Sequence, residues 1–251
     1  MKTYAIINQK GGVGKSTTTQ ALAAGLTLKG YKVLTIDLDP QGNTSFTLGA
    51  SKDGATALGV LLGEVRPGDA VQSTKYGDVI AGSRALAGAD AYLTDIGKEY
   101  KLREALEHIS GGYDFILIDT PPALGILTTN ALTACDSVII PAQADIFSLQ
   151  GIADLADTIN PVKRYCNPEL SIEGILFTRY SSRSAFNNEL AELAEELATN
   201  LGTRVFETKI REAVAVKKAQ AVQQSLFEYD PKAKVTEDYS AFIEELIGGE
   251  R

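Results

Sequence analysis

Two lysines stand close together in a glycine-rich stretch near the start of the chain, which reads "NQKGGVGKSTTTQ" from Asn8 to Gln20. An apolar run precedes this stretch and a helix-like segment follows it, the context in which a Gly-Lys-Ser/Thr motif binds nucleotide phosphates. Glycines let backbone N–H groups surround phosphate oxygens, and the helix N-terminus adds a favourable dipole. Lys15 is therefore placed to reach the β- and γ-phosphates, and Ser16 to ligate Mg²⁺. The generic motif does not explain Lys10.

The stretch also departs from the generic phosphate-loop pattern, because Gln9 stands where that pattern has a glycine. A glycine-rich turn before an ordinary helix is thus the alternative interpretation. Further acidic motifs along the chain favour the phosphate loop.

Three aspartates follow predicted strands, in "LTIDLDPQGN" (Asp37 and Asp39) and in "FILIDTPP" (Asp119). Ligands of open α/β sheets bind at the carboxyl ends of the strands, so these side chains are expected near the loop. An acidic residue after four apolar ones is the Walker B arrangement, which predicts that Asp119 holds Mg²⁺ through water. Asp37 and Asp39 are two residues apart on an extended chain, so both could approach the γ-phosphate. The alternative that either one caps a helix or binds a loop amide stays open.

The elements that must position these residues follow from the hydrophobic pattern. Short apolar runs predict buried strands at Thr3–Asn8, Lys32–Asp37, Asp114–Asp119, Ser137–Ala142 and Ile172–Thr178. Helices are predicted at Lys15–Lys29, Asp95–Ile109, Ser148–Ile159 (ending before Pro161) and Asn187–Leu201. Alternating strands and helices predict an α/β three-layer sandwich, a mostly parallel twisted sheet with helices on both faces. The stretch Gly49–Gly88 is interpreted as loops at one edge of the sheet.

Composition limits the classes of protein. The 251 residues suit a single domain over residues 1–251, and we expect no separate N-terminal helix-turn-helix domain because the first strand starts at Thr3. No apolar run of membrane-spanning length and no signal peptide is evident, so a cytoplasmic protein is expected. Cys135 and Cys166 are far apart and His108 is the only histidine, which argues against a disulfide framework or a CxxC-type metal site.

The motifs "KGGVGKST", "IDLDPQGN" and "ILIDTPP" together resemble those of the deviant Walker A ATPases of the ParA/Soj/MinD group. Within that group, "DPQGN" and "FEYDPKAK" are similar to ParA/Soj proteins, and the resemblance extends from Thr3 to about Tyr239. It implies a P-loop fold of the SIMIBI kind, ATP and Mg²⁺ as cofactors, and a sandwich homodimer that forms on ATP binding. It also implies a weak intrinsic ATPase that a ParB-like partner stimulates.

The resemblance assigns roles to individual residues. It implies that Lys10 crosses to the phosphates of the partner subunit, Lys15 serves its own nucleotide and Asp39 positions the attacking water. The implied nucleotide contacts are Lys10, Gly11, Gly12, Val13, Gly14, Lys15, Ser16, Thr17 and Arg211. The implied magnesium ligands are Ser16 and Asp119, and the implied switch residues are Asp37, Asp39, Pro40 and Asn43.

The distribution of charged residues indicates which partner such an ATPase binds. The net charge of −8 disfavours binding to polyanions. Between Leu201 and Lys234, however, the chain has seven basic residues and four acidic ones, which is a local excess of positive charge. In ParA/Soj-like proteins the regions that match "TRYSSRSAF" and "IREAVAVKKAQ" are associated with non-specific DNA contact. The candidates here are Arg179, Arg183, Arg211, Lys217 and Lys218.

Three observations qualify that candidate surface. Glu212 and Ala215 stand where many family members are basic, and the charges could form a solvated face or, for Arg179 and Arg211, border the adenine pocket. The acidic tail "TEDYSAFIEELIGGER" argues against the membrane-binding helix of MinD-like proteins. A positioning or regulatory adaptor that docks on a protein assembly without DNA is the second hypothesis.

Overall fold

The computed structural model describes residues 1–181 and 185–248. The strands are β1 Lys2–Ile6, β2 Val33–Asp37, β3 Val71–Thr74, β4 Gly77–Ile80, β5 Phe115–Asp119, β6 Ser137–Ala142 and β7 Ser171–Phe177. They form one sheet in the order β3-β4-β2-β5-β1-β6-β7. Every pairing is parallel except that of β3 with β4. The predicted α/β fold with a mostly parallel sheet is confirmed.

Helices occupy most of the remaining described chain. They are α1 Lys15–Leu28, α2 Asn43–Leu48, α3 Ala57–Leu61, α4 Pro67–Ala70, α5 Ala89–Tyr92, α6 Lys101–Glu107, α7 Ile126–Ala134, α8 Ile146–Tyr165, α9 Ala185–Asn200, α10 Val214–Ala221, α11 Leu226–Tyr229 and α12 Lys234–Gly248. Short 3₁₀ helices lie at Arg84–Gly88, Lys98–Tyr100 and Ser110–Gly112. None of the helices within the described ranges is long and apolar enough to cross a membrane.

The central strands are covered on both faces. All residues of β2, β5 and β6 are buried, which explains why their sequences are continuous apolar runs rather than alternating ones. One face packs against α3, α6, α7, α8 and α9. The other face packs against α1 and α12, with further apolar contacts from α2, α10 and α11. The two layers of helices fix the sheet and therefore the edge at which its strands end.

Two predictions about elements are wrong in detail. Helix α8 does not end before Pro161 but continues to Tyr165. Proline lacks an N–H group and costs one helical hydrogen bond, yet Ile159 and Val162 on either side of it are buried in the core, so packing keeps the helix continuous. The stretch Gly49–Gly88 holds α3, α4, β3, β4 and a 3₁₀ helix as well as loops, and these elements of four or five residues are too short for a clear periodic signal.

The helix predicted over Asp95–Ile109 is shorter than expected. Gly97 adopts a left-handed φ of 82°, a 3₁₀ turn follows, and regular helix begins only at Lys101. The helix propensity of residues 95–100 is not sufficient to extend the regular helix through that turn.

Parallel strands bring their carboxyl ends to one edge of the sheet. In the register of the central strands, Asp119 at the end of β5 pairs with Ile6 of β1 on one side and with Asp37 of β2 on the other. The loops after β1, β2 and β5 therefore emerge side by side. The three sequence motifs meet at this edge because of strand order, although they are far apart in the chain.

Candidate nucleotide site

The loop after β1 is shaped by glycines at two left-handed positions, Gly12 with φ 76° and Gly14 with φ 92°. A β-carbon built on Gly11 or Gly12 would meet no atom within 4 Å, so the concave side of the loop is open. Helix α1 begins directly after Gly14, and no side chain caps its N-terminus. Its first backbone N–H groups are therefore free to bind an anion, as in phosphate-binding loops.

Neighbouring strand ends hold this loop in place. The Asn8 side chain accepts a hydrogen bond from the Lys10 backbone N–H (2.8 Å) and donates one to the Pro141 carbonyl (2.7 Å). The Thr178 hydroxyl donates to the Val13 carbonyl at 2.7 Å. Because these contacts come from β6 and from the residue after β7, the loop is preorganised by the sheet.

The loop opens into a cleft of about 460 Å³. Residues Gly11 to Thr17 line it, apart from the buried Val13, together with Asp39 and Asn43 from the second motif. A smaller adjoining cleft of about 140 Å³ shares Gly14 and Thr17 with it. The larger cleft brings residues of all three motifs together, because Pro122 of the third motif also lines it. Asp37 and Pro40 are not among its lining residues.

Lys15 is almost fully buried at the base of the cleft, with 6% of its surface exposed. Its Nζ donates to the Lys10 carbonyl at 3.3 Å. Burial lowers the pKa of Lys15, and the negative charges of Asp119 and Asp39 act in the opposite direction. The site thus holds a desolvated cation facing two carboxylates, which is an arrangement suited to a ligand that carries several negative charges.

Asp119 is completely buried beneath the loop. Its Oδ2 accepts a hydrogen bond from the Thr44 hydroxyl at 2.6 Å, and the Ser16 hydroxyl also contacts the carboxylate. Its Oδ1 has no hydrogen-bond partner among the described residues. Burial, followed by the charge of Asp37, raises the pKa of Asp119 to about 7. An unpartnered buried carboxylate oxygen beside a serine hydroxyl fits Mg²⁺, which keeps several waters and needs few protein ligands.

That magnesium site is not a cluster of protein ligands. In residues 1–181 and 185–248, no group of three or more His, Cys, Asp or Glu side chains is arranged to hold a metal ion. Ser16 and Asp119 would therefore hold Mg²⁺ only together with phosphate oxygens and water.

Replacing Asp119 by asparagine should stabilise the protein in the absence of nucleotide. At pH 8, above the raised pKa of this carboxyl, the wild-type group bears a charge in a buried site, and asparagine removes that cost. We expect the melting temperature to rise by about 3 °C. Thermal unfolding followed by circular dichroism measures the change. Asp157→Asn, at an exposed aspartate of α8, should leave the melting temperature unchanged, and a lower melting temperature for Asp119→Asn would contradict the argument.

Asp37 and Asp39 have different surroundings. The Asp37 Oδ2 accepts hydrogen bonds from the Ser45 backbone N–H (2.8 Å) and hydroxyl (2.6 Å), and its Oδ1 accepts from the Asp39 N–H (3.1 Å). Asp37 is fully buried, and it corresponds to both open alternatives, because Ser45 lies in the first turn of α2 and the Asp39 N–H belongs to the loop after β2. Asp39 lines the cleft, and its Oδ1 accepts the Gln41 N–H at 2.9 Å. Of the two carboxylates expected near the phosphate, only Asp39 lines the cleft, because β2 ends at Asp37 and the strand alternation ends with it.

Sequence reasoning missed Gly82, which lies against the segment that carries Asp37 and Asp39. A β-carbon on Gly82 would stand 2.7 Å from the Asp37 carbonyl oxygen and 3.0 Å from the Asp39 carbonyl oxygen. Its N–H donates to the Ser45 hydroxyl at 2.9 Å. Only glycine fits this close approach, and no local sequence signal marks it because its neighbours are distant in the chain.

Lys10 does not line the cleft of its own subunit. Its Nζ lies 2.7 Å from the Asp145 Oδ2 and 3.3 Å from the Ser148 hydroxyl. Asp145 also caps α8 by accepting the Ser148 N–H at 2.9 Å. Burial acts to raise the pKa of Asp145, but the hydrogen bonds from Lys10 and Ser148 outweigh it and lower that pKa. The Lys10 and Asp145 side chains are 33% and 32% exposed, so the ion pair is accessible to solvent and weak.

The predicted basic residues do not form one uniform surface. Arg179 is exposed, has a left-handed φ of 50°, and lines both clefts. The Arg211 guanidinium donates to both carboxylate oxygens of Asp238, at 2.7 and 2.8 Å. Lys217 and Lys218 are exposed on α10. Arg183 lies outside the described residues.

Comparison with known proteins gives concordant results. A family profile described as an AAA domain matches residues 1–172. The sporulation initiation inhibitor protein Soj of Bacillus subtilis is 38% identical, covering 98% of both chains. The chromosome partitioning protein ParA of Caulobacter vibrioides is 37% identical, covering 100% of this chain and 96% of the relative. A crystal structure of cobyrinic acid a,c-diamide synthase from Mycobacterium smegmatis, with bound ATP analogue and magnesium, is 34% identical with a TM-score of 0.85, covering 98% of this chain and 94% of that one.

Proposed function

Because the chain belongs to the ParA/Soj family of partition ATPases, we propose that it binds MgATP in the described cleft, dimerises on ATP and then binds DNA without sequence specificity. The observation that carries this proposal is the convergence of Lys15, Asp39 and Asp119 around an open phosphate loop. The ATP analogue and magnesium bound to the Mycobacterium smegmatis relative support the choice of ligands. The synthase activity in the name of that relative is not carried over, because a shared fold and ATP site do not determine the reaction.

The residues of the cleft suit phosphoryl transfer to water. The N–H groups of the loop and the buried Lys15 cation would hold the β- and γ-phosphates. Mg²⁺, held by Ser16 and Asp119, would neutralise negative charge on the phosphate oxygens. Asp39 lines the cleft, so its carboxylate is available to orient a water molecule for attack. Asp37 would act indirectly, by anchoring Ser45 and with it the segment that carries Asp39 and Asn43.

The position of Lys10 supports a homodimer as the active unit. Lys10 contacts Asp145 rather than its own cleft, so it is available to the nucleotide of a second subunit once the ion pair opens. A cation supplied in trans is worth about 10³ to 10⁵ in rate in other nucleotide hydrolases. Dimerisation would therefore complete the active site rather than only bring two sites together.

Exposed lysines on α10 are the proposed contacts to DNA phosphates. Lys217 and Lys218 project from one short helix, and Lys217 lines the small cleft together with Arg179. A dimer presents each lysine twice, so that two weak contact surfaces bind the same DNA and the overall affinity rises. A ParB-like partner would stimulate hydrolysis and release the protein from DNA, so that it moves cargo within the cytoplasm and over the nucleoid.

Binding to arbitrary duplex DNA tests this proposal. We expect wild-type protein to bind only with MgATP or a non-hydrolysed analogue, and binding to weaken steeply with salt. The double variant Lys217→Ala with Lys218→Ala should lose about tenfold in affinity at low salt and show a shallower dependence of log K on log salt. Fluorescence anisotropy with labelled duplexes of unrelated sequence measures both quantities.

The chain offers a matched control at two other exposed lysines. Lys232→Ala with Lys234→Ala removes the same charge near the start of α12 and should leave DNA affinity unchanged. Equal losses in the two double variants would contradict a specific role for α10.

The second candidate is an ATP-switched adaptor that docks on a protein assembly without DNA. The net charge of −8 favours it, because an acidic protein repels a polyanion. Absence of ATP-dependent binding to any duplex at low salt, in a protein that still dimerises with MgATP, would favour the adaptor.

A further inference from the structure

A chain of hydrogen bonds connects α10, which carries Lys217 and Lys218, to the carboxylate of Asp119. The Gln220 Nε2 on α10 donates to the Gln20 Oε1 on α1 at 2.9 Å. The Gln20 Nε2 donates to the Thr44 hydroxyl at 3.5 Å, and that hydroxyl donates to the Asp119 Oδ2 at 2.6 Å. We name the three side chains of Gln220, Gln20 and Thr44 the amide relay.

All donors in the amide relay point in one direction, from α10 towards the carboxylate. Aligned hydrogen bonds of this kind polarise one another, so a change at the Asp119 end alters the bonds behind it. Gln20, Thr44 and Asp119 are buried, and bulk water cannot readily replace a bond that breaks. The relay thus passes through the interior from α10 to Asp119, although Gln220 itself also lines the nucleotide cleft.

The two amide groups of the relay have no spare hydrogen. The Gln20 Nε2 donates to the Asn43 carbonyl (3.2 Å) as well as to Thr44, and the Gln220 Nε2 donates to the Thr17 hydroxyl (3.2 Å) as well as to Gln20. An amide nitrogen carries two hydrogens, so each is fully used. A displacement of residues 43–44 must therefore break a bond of Gln20 or move Gln20, and Gln220 is bonded to Gln20 in turn.

A further glutamine side chain connects the end of α10 to α2 at the protein surface. The Gln223 Nε2, just beyond α10, donates to the Phe46 carbonyl of α2 at 2.9 Å. Helix α2 follows directly on the motif that contains Asp39 and Asn43. The end of α10 is therefore attached to α2 on the surface and to its first turn through the amide relay.

We propose that the amide relay couples occupancy of the nucleotide site to the position of α10, and so to the affinity of its lysines for DNA phosphates. The differential contact lies at Asp119, whose Oδ2 accepts the single hydrogen of the Thr44 hydroxyl and whose Oδ1 has no partner among the described residues. Thr44 is fully buried and does not line the cleft, so the relay would respond to nucleotide through this carboxylate. A Mg²⁺ ion held by Asp119 would compete with Thr44 for the negative charge of the carboxylate, so nucleotide changes the bonding of Thr44 and the relay transmits the change. Only the statement about DNA affinity rests on the proposed function, whereas the coupling between the nucleotide site and the position of α10 does not.

Hydrogen–deuterium exchange tests the coupling without DNA. We expect a non-hydrolysed ATP analogue with Mg²⁺ to change amide exchange across residues 214–221 in the wild type. Gln20→Ala, at a buried relay residue that does not line the cleft, should lose that response. Gln20→Glu, which keeps the size of the side chain but replaces its donors by acceptors, should lose it as well. Gln224→Ala is the matched control, at a glutamine beyond α10 that is outside the relay, and it should respond like the wild type.

DNA affinity provides a second readout. The ratio of duplex affinity with nucleotide to affinity without it should fall about tenfold in Gln20→Ala, within the range of measured coupling energies. Nucleotide affinity and the far-UV circular dichroism spectrum are measured for each variant, and Gln20→Glu replaces Gln20→Ala should the latter fail to fold.

The outcomes separate the inference from the proposed function. The relay is overturned if the ATP analogue does not change amide exchange in α10 of the wild type. It is also overturned if the change is equal in Gln20→Ala and Gln224→Ala. DNA binding that stays fully ATP-dependent in a folded Gln20→Ala variant overturns it too. A Gln20-dependent response of α10 in a protein that binds no DNA in any state supports the relay and overturns the proposed function.

Discussion

Mixing Lys10→Ala protein with Lys15→Ala protein is expected to restore ATPase activity that neither variant has alone. Each single variant should lose about 10³-fold in rate, because one of the two cations at the phosphates is missing. In a heterodimer, one of the two sites combines Lys15 of the first subunit with Lys10 of the second. Random pairing in an equal mixture should thus recover about a quarter of the wild-type rate. Phosphate release at saturating MgATP measures the recovery.

Two controls define the result. Lys29→Ala removes another exposed lysine that is paired with a carboxylate, that of Glu244, and should retain wild-type activity. Pull-down with two different tags should show that heterodimers form in the mixture. Heterodimers without recovered activity would mean that Lys10 acts in its own subunit, against the proposal.

The recovery depends on the opening of the Lys10–Asp145 ion pair. In the structure the Lys10 Nζ is held 2.7 Å from Asp145, at the N-terminus of α8. Partly exposed pairs of this kind are worth about 1 kcal/mol or less, so contact with the phosphates of a partner nucleotide would readily replace it. The same loop thus holds one lysine inside its own cleft and one outside it.

Replacing Asp39 by alanine is expected to preserve ATP binding and to trap the dimer. Asp39 lines the cleft with an acidic side chain rather than a phosphate-binding group, so its loss should not weaken binding of the phosphates. Hydrolysis should fall by about 10²-fold or more, because the group that orients the attacking water is gone. The ATP-bound dimer then has no route back to the monomer. Analytical ultracentrifugation with MgATP, followed over hours, measures its persistence.

A neighbouring aspartate provides the comparison for that variant. Asp53 is exposed in the segment between α2 and α3, and Asp53→Ala should hydrolyse ATP and return to monomer at the wild-type rate. A monomeric Asp39→Ala protein at saturating MgATP would show that Asp39 is needed for dimerisation itself, and the assignment of its role would fail.

Local motifs and strand ends were sufficient to locate the main polar groups of the cleft. Lys15 and Ser16 follow from a short motif between a strand and a helix, and Asp39 and Asp119 from their places at or just beyond strand ends. These predictions depend on contacts between residues near in sequence and on the rule that parallel strands end at one edge. Five strands were recognised for the same reason, since runs of apolar residues mark strands buried on both faces.

Contacts across the fold could not be predicted in this way. The different surroundings of Asp37 and Asp39 depend on the end of β2 and on Ser45, and the pairing of Lys10 with Asp145 joins residues 135 positions apart. The link from Gln220 to Gln20 spans 200 positions. No periodicity or spacing encodes such pairs, because they arise only when the order of strands and the packing of helices are set.

The α/β class, the phosphate loop and the acidic groups near it were predictable from the amino-acid sequence, since each depends on local propensity and on a general rule of parallel sheets. Which carboxylate faces the cleft, which lysine is held outside it and which amides connect α10 to Asp119 became evident only in the folded chain. Side-chain partners are selected by burial and hydrogen-bond satisfaction in three dimensions, where residues distant in the chain compete for the same buried polar groups.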